Sequence, residues 1–241
     1  MRKSGNIPVI AECKRAEPTS GSIHKRYNVQ QLSSKFVKGG ASALSVNCDK
    51  TFFGGAIEDL MEARKAVPDI PILASDLILY PYQLYKLYLA GADAVTLIVA
   101  ALEDKDLMYL TKIAKSLKMQ TVLSVTSEVQ LQRVIKLSAG GVDCLSLSNR
   151  NLEDFSFDLT GDQALNLLKS SSIEEFHEKH ADVPILVEGR VGIIASSETD
   201  SFGQTYLKAI IDAGATGVIM GEGLASFSNE EELKVMFRIE A

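Results

Sequence analysis

The chain has 241 residues, 46% of them hydrophobic, and its formal net charge at pH 7 is −6. This length and apolar content suffice for one large core, and we expect residues 1–241 to form a single α/β domain. The acidic balance argues against a general nucleic-acid-binding protein. No apolar run is long enough to span a membrane, and the first residues do not resemble a secretory signal. We therefore expect an intracellular, reducing location, in the cytoplasm or in an organelle matrix or stroma.

Short apolar runs alternate with longer helical patterns along the whole chain. A closed parallel barrel of eight strands, the (β/α)8 or TIM barrel, fits this count better than an open doubly wound sheet, although both folds use similar turns. Eight runs predict strands, and in chain order they are Ile7–Cys13, Ala43–Asn47, Ile70–Ala74, Ala94–Ile98, Thr121–Val125, Cys144–Leu147, Pro184–Val187 and Gly217–Met220.

The helices between these strands have recognisable ends. Asn28 and Ser127 are typical N-cap residues, and Pro81 suits a first helical turn. Four helices are predicted to end in a glycine turn that leads into the next strand, at Lys38-Gly-Gly-Ala, Ala90-Gly-Ala-Asp, Ala139-Gly-Gly-Val and Ala213-Gly-Ala-Thr.

Glu12 and Lys14 carry opposite charges two residues apart at the end of the first predicted strand. Residues i and i+2 of a strand point to the same face, so these two side chains should stand side by side. A structural ion pair is one interpretation, and a functional site at the barrel mouth is the other.

Further polar residues end the other strands and are expected at the same mouth. A mouth with several cations suits an anionic small molecule, although small hydroxyl side chains often fill barrel ends without a role. Besides Glu12 and Lys14, the residues predicted to face this mouth are Ser124, Ser148, Arg150, Glu188 and Arg190, and Ser75 ends the third strand.

Cysteine and histidine residues give no sign of a metal site. Cys13, Cys48 and Cys144 are odd in number and lie in apolar segments, which predicts buried thiols. The three histidines, at positions 24, 177 and 180, lack ligand spacing and are expected at the surface. No metal and no cofactor is predicted.

Several motifs resemble one family along nearly the whole chain. The first-strand segment Val9-Ile-Ala-Glu-Cys-Lys-Arg-Ala-Glu-Pro-Thr-Ser-Gly is similar to the signature of indole-3-glycerol phosphate synthases. The motifs that follow in order are Phe52-Phe-Gly-Gly-Ala, Pro71-Ile-Leu, Ala90-Gly-Ala-Asp-Ala-Val, Asn149-Arg-Asn-Leu and Gly221-Glu-Gly-Leu.

The resemblance implies a tryptophan-pathway barrel, a carboxy-lyase that closes and decarboxylates 1-(2-carboxyphenylamino)-1-deoxyribulose 5-phosphate. It implies that Lys14 binds the substrate carboxylate and assists dehydration, and that Glu12 orients this lysine. Arg150 would hold the anthranilate carboxylate, and Glu188 would contact the sugar chain. Gly189 and Gly221 would lie in the turns at the substrate.

Three catalytic positions depart from the family pattern. Ser75 stands where the family has a lysine general acid, Ser124 where it has a glutamate general base, and Ser148 where it has an asparagine. A lone hydroxyl has no useful acid or base form near pH 7, and each positioned acid or base contributes about 10²- to 10⁴-fold. Asp76 is the nearest other carboxylate, and strand alternation predicts that it turns away from the face of Ser75.

The phosphate end departs as well. Glu17 replaces a small hydroxyl residue of the family, and its charge should repel a dianion. Arg190 is expected either to restore positive charge or to pair with Glu17. The helical N-terminal extension of the family is expected to be lacking, since only eight residues precede Val9.

Two hypotheses follow. In the first, the barrel has lost or altered catalysis and serves as an anion-binding or complex-forming subunit. In the second, it is an enzyme, either an active indole-3-glycerol phosphate synthase or a relative that acts on another anionic aromatic compound or sugar phosphate through Lys14 and Glu12. The tyrosine-rich helix that begins at Tyr80 could be a docking surface, but its spacing favours packing on the barrel.

Overall fold

The structure is a computed structural model, and it describes residues 7–24, 26–137, 141–151, 155–158, 160–189, 191, 202–227 and 229–237. Eight parallel strands form a closed barrel in which each strand pairs with the next along the chain and the last pairs with the first. This confirms the predicted (β/α)8 barrel. The strands are β1 (Val9–Cys13), β2 (Ala43–Asn47), β3 (Ile72–Ser75), β4 (Ala94–Ile98), β5 (Gln120–Val125), β6 (Cys144–Ser148), β7 (Ile185–Glu188) and β8 (Gly217–Met220).

Helices connect the strands on the outside of the barrel. Two helices, α6 and α7, lie between β6 and β7. In the part of the chain that the structure describes, no helix has both the length and the apolar character needed to cross a membrane. The α-helices with described bounds are α1 (Val29–Lys38), α2 (Ile57–Ala66), α3 (Pro81–Leu89), α4 (Asp104–Ser116), α5 (Glu128–Ile135), α6 (Asp162–Leu168), α7 (Ser171–Lys179), α8 (Phe202–Asp212) and α9 (Glu230–Met236).

The predicted helix ends are seen where the structure describes them. The side chain of Asn28 accepts a hydrogen bond from the backbone N–H of Gln31 at the start of α1, and Pro81 is the first residue of α3. Gly91 and Gly214 have φ angles of 99° and 104°, which residues with a Cβ rarely adopt. The glycine turn predicted at 139–140 lies outside the described residues.

The buried apolar side chains form two separate clusters. The larger lies between the strands and the helices, and the smaller contains Leu73, Val122, Leu186 and Ile219. Val122 and Leu186 each precede by two residues a polar side chain that lines the barrel mouth, so this smaller cluster lies inside the barrel. It forms an apolar layer beneath the polar ends of the strands.

Two predictions about side-chain exposure are wrong. The tyrosines of α3 do not pack on the barrel, since Tyr85 and Tyr88 are about half exposed while Leu84 and Leu87 form the buried face of the helix. His180 is buried, with its ring 5.0 Å from that of Phe176. At both positions, the packing of neighbouring apolar residues determines which side chain is buried.

Helix α3 offers a matched test of this packing. Leu87 is 1% exposed and Leu89 is 80% exposed on the same helix. We expect Leu87→Ala to lower the free energy of unfolding by about 2–5 kcal/mol because it leaves a cavity. Leu89→Ala should change it by less than about 0.5 kcal/mol. Urea denaturation measures both, and equal losses would contradict the assigned helix face.

Candidate functional site

A cavity of about 630 Å³ opens at the C-terminal ends of the strands. This is the end of a parallel barrel at which loops and strand ends converge. The structure brings nearly all of the predicted site residues to its wall, namely Glu12, Lys14, Ser75, Ser124, Ser148, Arg150, Glu188, Gly189 and Gly221. Arg190 lies outside the described residues. The catalytic and binding roles of these residues stay predictions.

Four charged side chains form one connected group on the wall. Lys14 Nζ lies 2.7 Å from Glu12 Oε2 and 3.4 Å from Glu17 Oε2. Arg150 Nη2 donates to Glu17 Oε1 at 2.6 Å. We call these four residues the Glu17 network. Glu17 is 1% exposed, so it is a buried carboxylate held between two cations.

A short hairpin puts Glu17 in this position. Residues Ala16–Glu17 pair antiparallel with Gly21–Ser22 shortly after β1, and Glu17 lines the cavity. The sequence predicted a charge at Glu17 that would repel a dianion, but it gave no sign of the hairpin. The Glu17 carboxylate therefore forms ion pairs with both Lys14 and Arg150.

The charges of the network hold Lys14 in its protonated form. Burial by itself would lower the pKa of Lys14, but the nearby Glu12 and Glu17 carboxylates outweigh burial and raise the pKa above its ordinary value. A lysine of this kind is a poor general acid, because its proton is stabilised by two anions.

Arg150 is fixed from several sides. Its Nη1 donates to the backbone carbonyl of Phe155 at 3.1 Å, and its guanidinium lies 3.9 Å from the ring centroid of Phe157. The Phe53 ring lies 5.1 Å from the same guanidinium. Stacking and hydrogen bonding together leave this arginine with one well-defined position.

Glu188 at the end of β7 is paired with one of the substituted serines. Ser124 Oγ donates to Glu188 Oε1 at 2.6 Å. Burial raises the pKa of the Glu188 carboxyl, the Ser124 hydrogen bond opposes that effect, and the Glu12 charge adds to it. Ser124 thus has a defined partner and does not simply fill space.

Sequence reasoning misplaced Asp76. Alternation predicted that this side chain turns away from Ser75, but both residues line the cavity. Strand β3 ends at Ser75, so the alternation rule no longer applies to the next residue. Burial raises the pKa of the Asp76 carboxyl, the backbone N–H of Leu77 lowers it, and the nearby Asp49 raises it further.

Sequence reasoning also missed part of the wall. Asp49, Phe52, Phe155 and Phe157 line the same cavity. Asn47, the polar residue that ends the second predicted strand, lines it as expected from that position. Phe155 and Phe157 lie in a segment without periodicity, and only the fold brings them to the mouth.

Gly221 packs closely on Glu12 where β8 leaves the barrel. A Cβ built on Gly221 would lie 2.7 Å from Glu12 Oε2, so a side chain there would press on the carboxylate that pairs with Lys14. The five residues that follow, Glu222–Ser226, form a 3₁₀-helix. Among the described residues no group of three or more His, Cys, Asp or Glu side chains could hold a metal ion.

A profile of the protein family described as "Indole-3-glycerol phosphate synthase" matches residues 1–177. The chain belongs to the indole-3-glycerol phosphate synthase family. This confirms the resemblance read from the strand-end motifs, and the family's sequence similarity extends over nearly the whole chain.

Named relatives agree with this assignment, and a solved structure shares the fold. The chain is 38% identical over 216 residues to a protein named indole-3-glycerol phosphate synthase from Rippkaea orientalis, covering 90% of this chain and 68% of the relative. It is 35% identical to one from Trichodesmium erythraeum, covering 92% and 69%. A solved structure titled "Structural study of Project ID from Aquifex aeolicus VF5" superposes with a TM-score of 0.59 at 12% identity, covering 98% of this chain and 90% of that one, and shows the fold alone.

Removing Glu17 should weaken the fold and free the cations. We expect Glu17→Ala to lower the free energy of unfolding by about 3–5 kcal/mol, because it leaves Arg150 buried without its partner. Inorganic phosphate should then raise the melting temperature of Glu17→Ala more than that of the unaltered protein. The matched control is Glu62→Ala, which removes the exposed Glu62–Lys65 pair and should have no resolvable effect.

Glu188 should make stability depend on pH. A carboxyl whose folded pKa is raised above its ordinary value of 4.5 contributes stability that is complete below that value and is lost as the pH rises through the folded pKa. We expect the stability advantage of Glu188→Gln over the unaltered protein to grow with pH across this window. Urea denaturation between pH 4.5 and 8 measures the difference.

Ser124→Ala supplies the control for this prediction. Without the Ser124 hydrogen bond the pKa of Glu188 should rise further, and the window should move to higher pH. A difference between Glu188→Gln and the unaltered protein that is constant with pH would contradict the buried titration.

Proposed function

We propose that this barrel binds a small molecule in the strand-end cavity but does not perform the family's ring closure. The observation that carries the proposal is the set of three serines at the positions where the family has an acid, a base and an amide. Ser75, Ser124 and Ser148 all line the cavity. The wall therefore keeps the shape of a ligand site while its proton-transfer groups are replaced.

The retained charges do not compensate for these replacements. Lys14 is held between two carboxylates, and the Glu188 carboxyl accepts the hydrogen bond of Ser124. Losing two positioned acid–base groups should slow the chemical step by about 10⁴-fold or more. Asp76 lines the cavity and has a raised pKa, but it lies one residue beyond the expected acid.

The geometry of the Glu17 network weighs against the anion-binding role expected from the sequence. Both described cations of the network, Lys14 and Arg150, already contact Glu17. An anionic ligand would have to compete with this buried carboxylate. The anion-binding role and the complex-forming role both stay predictions, as does the reducing location, which agrees with the free thiols of Cys13, Cys48 and Cys144.

A second candidate is the family reaction itself. It is favoured by relatives at 35–38% identity that carry the name indole-3-glycerol phosphate synthase. Lys14, Arg150 and Glu188, to which the resemblance assigns substrate-contacting roles, are present in one cavity. In this case the substrate would be 1-(2-carboxyphenylamino)-1-deoxyribulose 5-phosphate.

A turnover assay separates the two candidates. We expect incubation with this substrate to give no indole fluorescence, at least about 10⁴-fold below a relative assayed in parallel. The chain contains no tryptophan, so the fluorescence background is low. Turnover that disappears in Lys14→Ala would overturn the proposal and establish the second candidate.

A further inference from the structure

One part of the cavity wall is acidic and contains a polar atom without a partner. Its four residues are Asn47 and Asp49 from the end of β2 and the loop after it, and Ser75 and Asp76 from the end of β3 and the loop after it. Asn47 and Ser75 are paired in the parallel register of the two strands. We call these four residues the β2–β3 subsite. They do not belong to the Glu17 network.

Asn47 is the observation that points to a ligand. Its side chain is 4% exposed, and its Oδ1 atom is buried without a hydrogen-bond partner in the described structure. Ser45 donates to Glu12 Oε1 and therefore faces the barrel interior, and Asn47, two residues later on the same strand, faces it too. A buried acceptor of this kind is destabilising until a donor reaches it.

The Asp49 and Asp76 carboxylates beside Asn47 are also hydrogen-bond acceptors that a donor group of a ligand could approach. Asp76 accepts a hydrogen bond from the backbone N–H of Leu77, and Asp49 accepts from the backbone N–H groups of Thr51 and Phe52. No lysine or arginine of the described residues forms an ion pair with either carboxylate. A cationic group of a ligand could therefore pair with these carboxylates without displacing an ion pair of the described residues.

The rest of the cavity suits an apolar body. The Phe52 and Phe155 rings pack together with centroids 4.9 Å apart and planes tilted by 34°, and Leu77 and Ile98 line the same wall. The volume of about 630 Å³ is within the range of sites that enclose small molecules. An aromatic ring system would find flat apolar surfaces here.

We propose that the cavity takes a small organic cation, an ammonium group on an aromatic body, whose N–H donors pair with the Asp49 and Asp76 carboxylates beside the unpartnered Asn47 side chain. This inference rests on the proposed function, since it needs the cavity to be a ligand site. It names the class of ligand and sets it apart from the family's anionic substrate.

Two indole probes of opposite charge test the proposal. Tryptamine carries an ammonium group, and indole-3-propionate carries a carboxylate on the same ring system. Because the chain has no tryptophan, fluorescence anisotropy excited above the tyrosine absorption reports the probe alone. We expect tryptamine to bind at least tenfold more tightly than indole-3-propionate. Asn47→Leu and Asp76→Asn should each weaken tryptamine binding about tenfold.

The control is Asp212→Asn, which removes an exposed carboxylate at the end of α8 and should leave binding unchanged. Thermal melts show whether each variant is folded. If Asn47→Leu is not folded, Asp76→Asn still tests the proposal. Equal or tighter binding of indole-3-propionate would overturn the cation proposal while the binding function stands. Binding of neither probe, or no effect of both variants, would also overturn it. Failure of the proposed function would be seen separately in the turnover assay, as conversion of the family substrate that depends on Lys14.

Discussion

The Glu17 network is the interaction on which the barrel mouth depends. One buried carboxylate joins β1, the hairpin after it and the segment after β6, through Lys14 and Arg150. Two unit charges about 4 Å apart attract by about 4 kcal/mol at an effective dielectric constant of 20. A ligand anion that takes the place of Glu17 beside these cations has to replace an attraction of this order. The protein therefore uses for its own structure the charges that the family resemblance assigns to substrate.

The barrel was predictable because its signals are local and repeated. Each strand was found within two residues of its observed start and one of its observed end, since buried parallel strands appear as short apolar runs bounded by turns. Asn28, Pro81 and the glycine turns marked the helix ends because capping signals are also local. The exposed face of α3 was not predictable, because three tyrosines and three leucines compete for one buried stripe, and Leu84 and Leu87 occupy it.

The site was predictable only where strand alternation applies. Glu12, Lys14, Ser124 and Glu188 lie at or next to strand ends, and all four line the cavity as expected. Asp76 lies one residue past its strand, and there alternation gave the wrong face. The contact of Glu17 with Arg150 joins residues 133 positions apart through a hairpin of two-residue strands. No local pattern encodes such a contact.

The apolar layer of Leu73, Val122, Leu186 and Ile219 has a consequence for how such a protein diverges. It lies beneath the strand ends and is a cluster separate from the one that attaches the helices. Substitutions at the strand ends above this layer change the barrel mouth without leaving a cavity in either cluster. The residues at the strand ends can therefore be exchanged while the barrel stays folded.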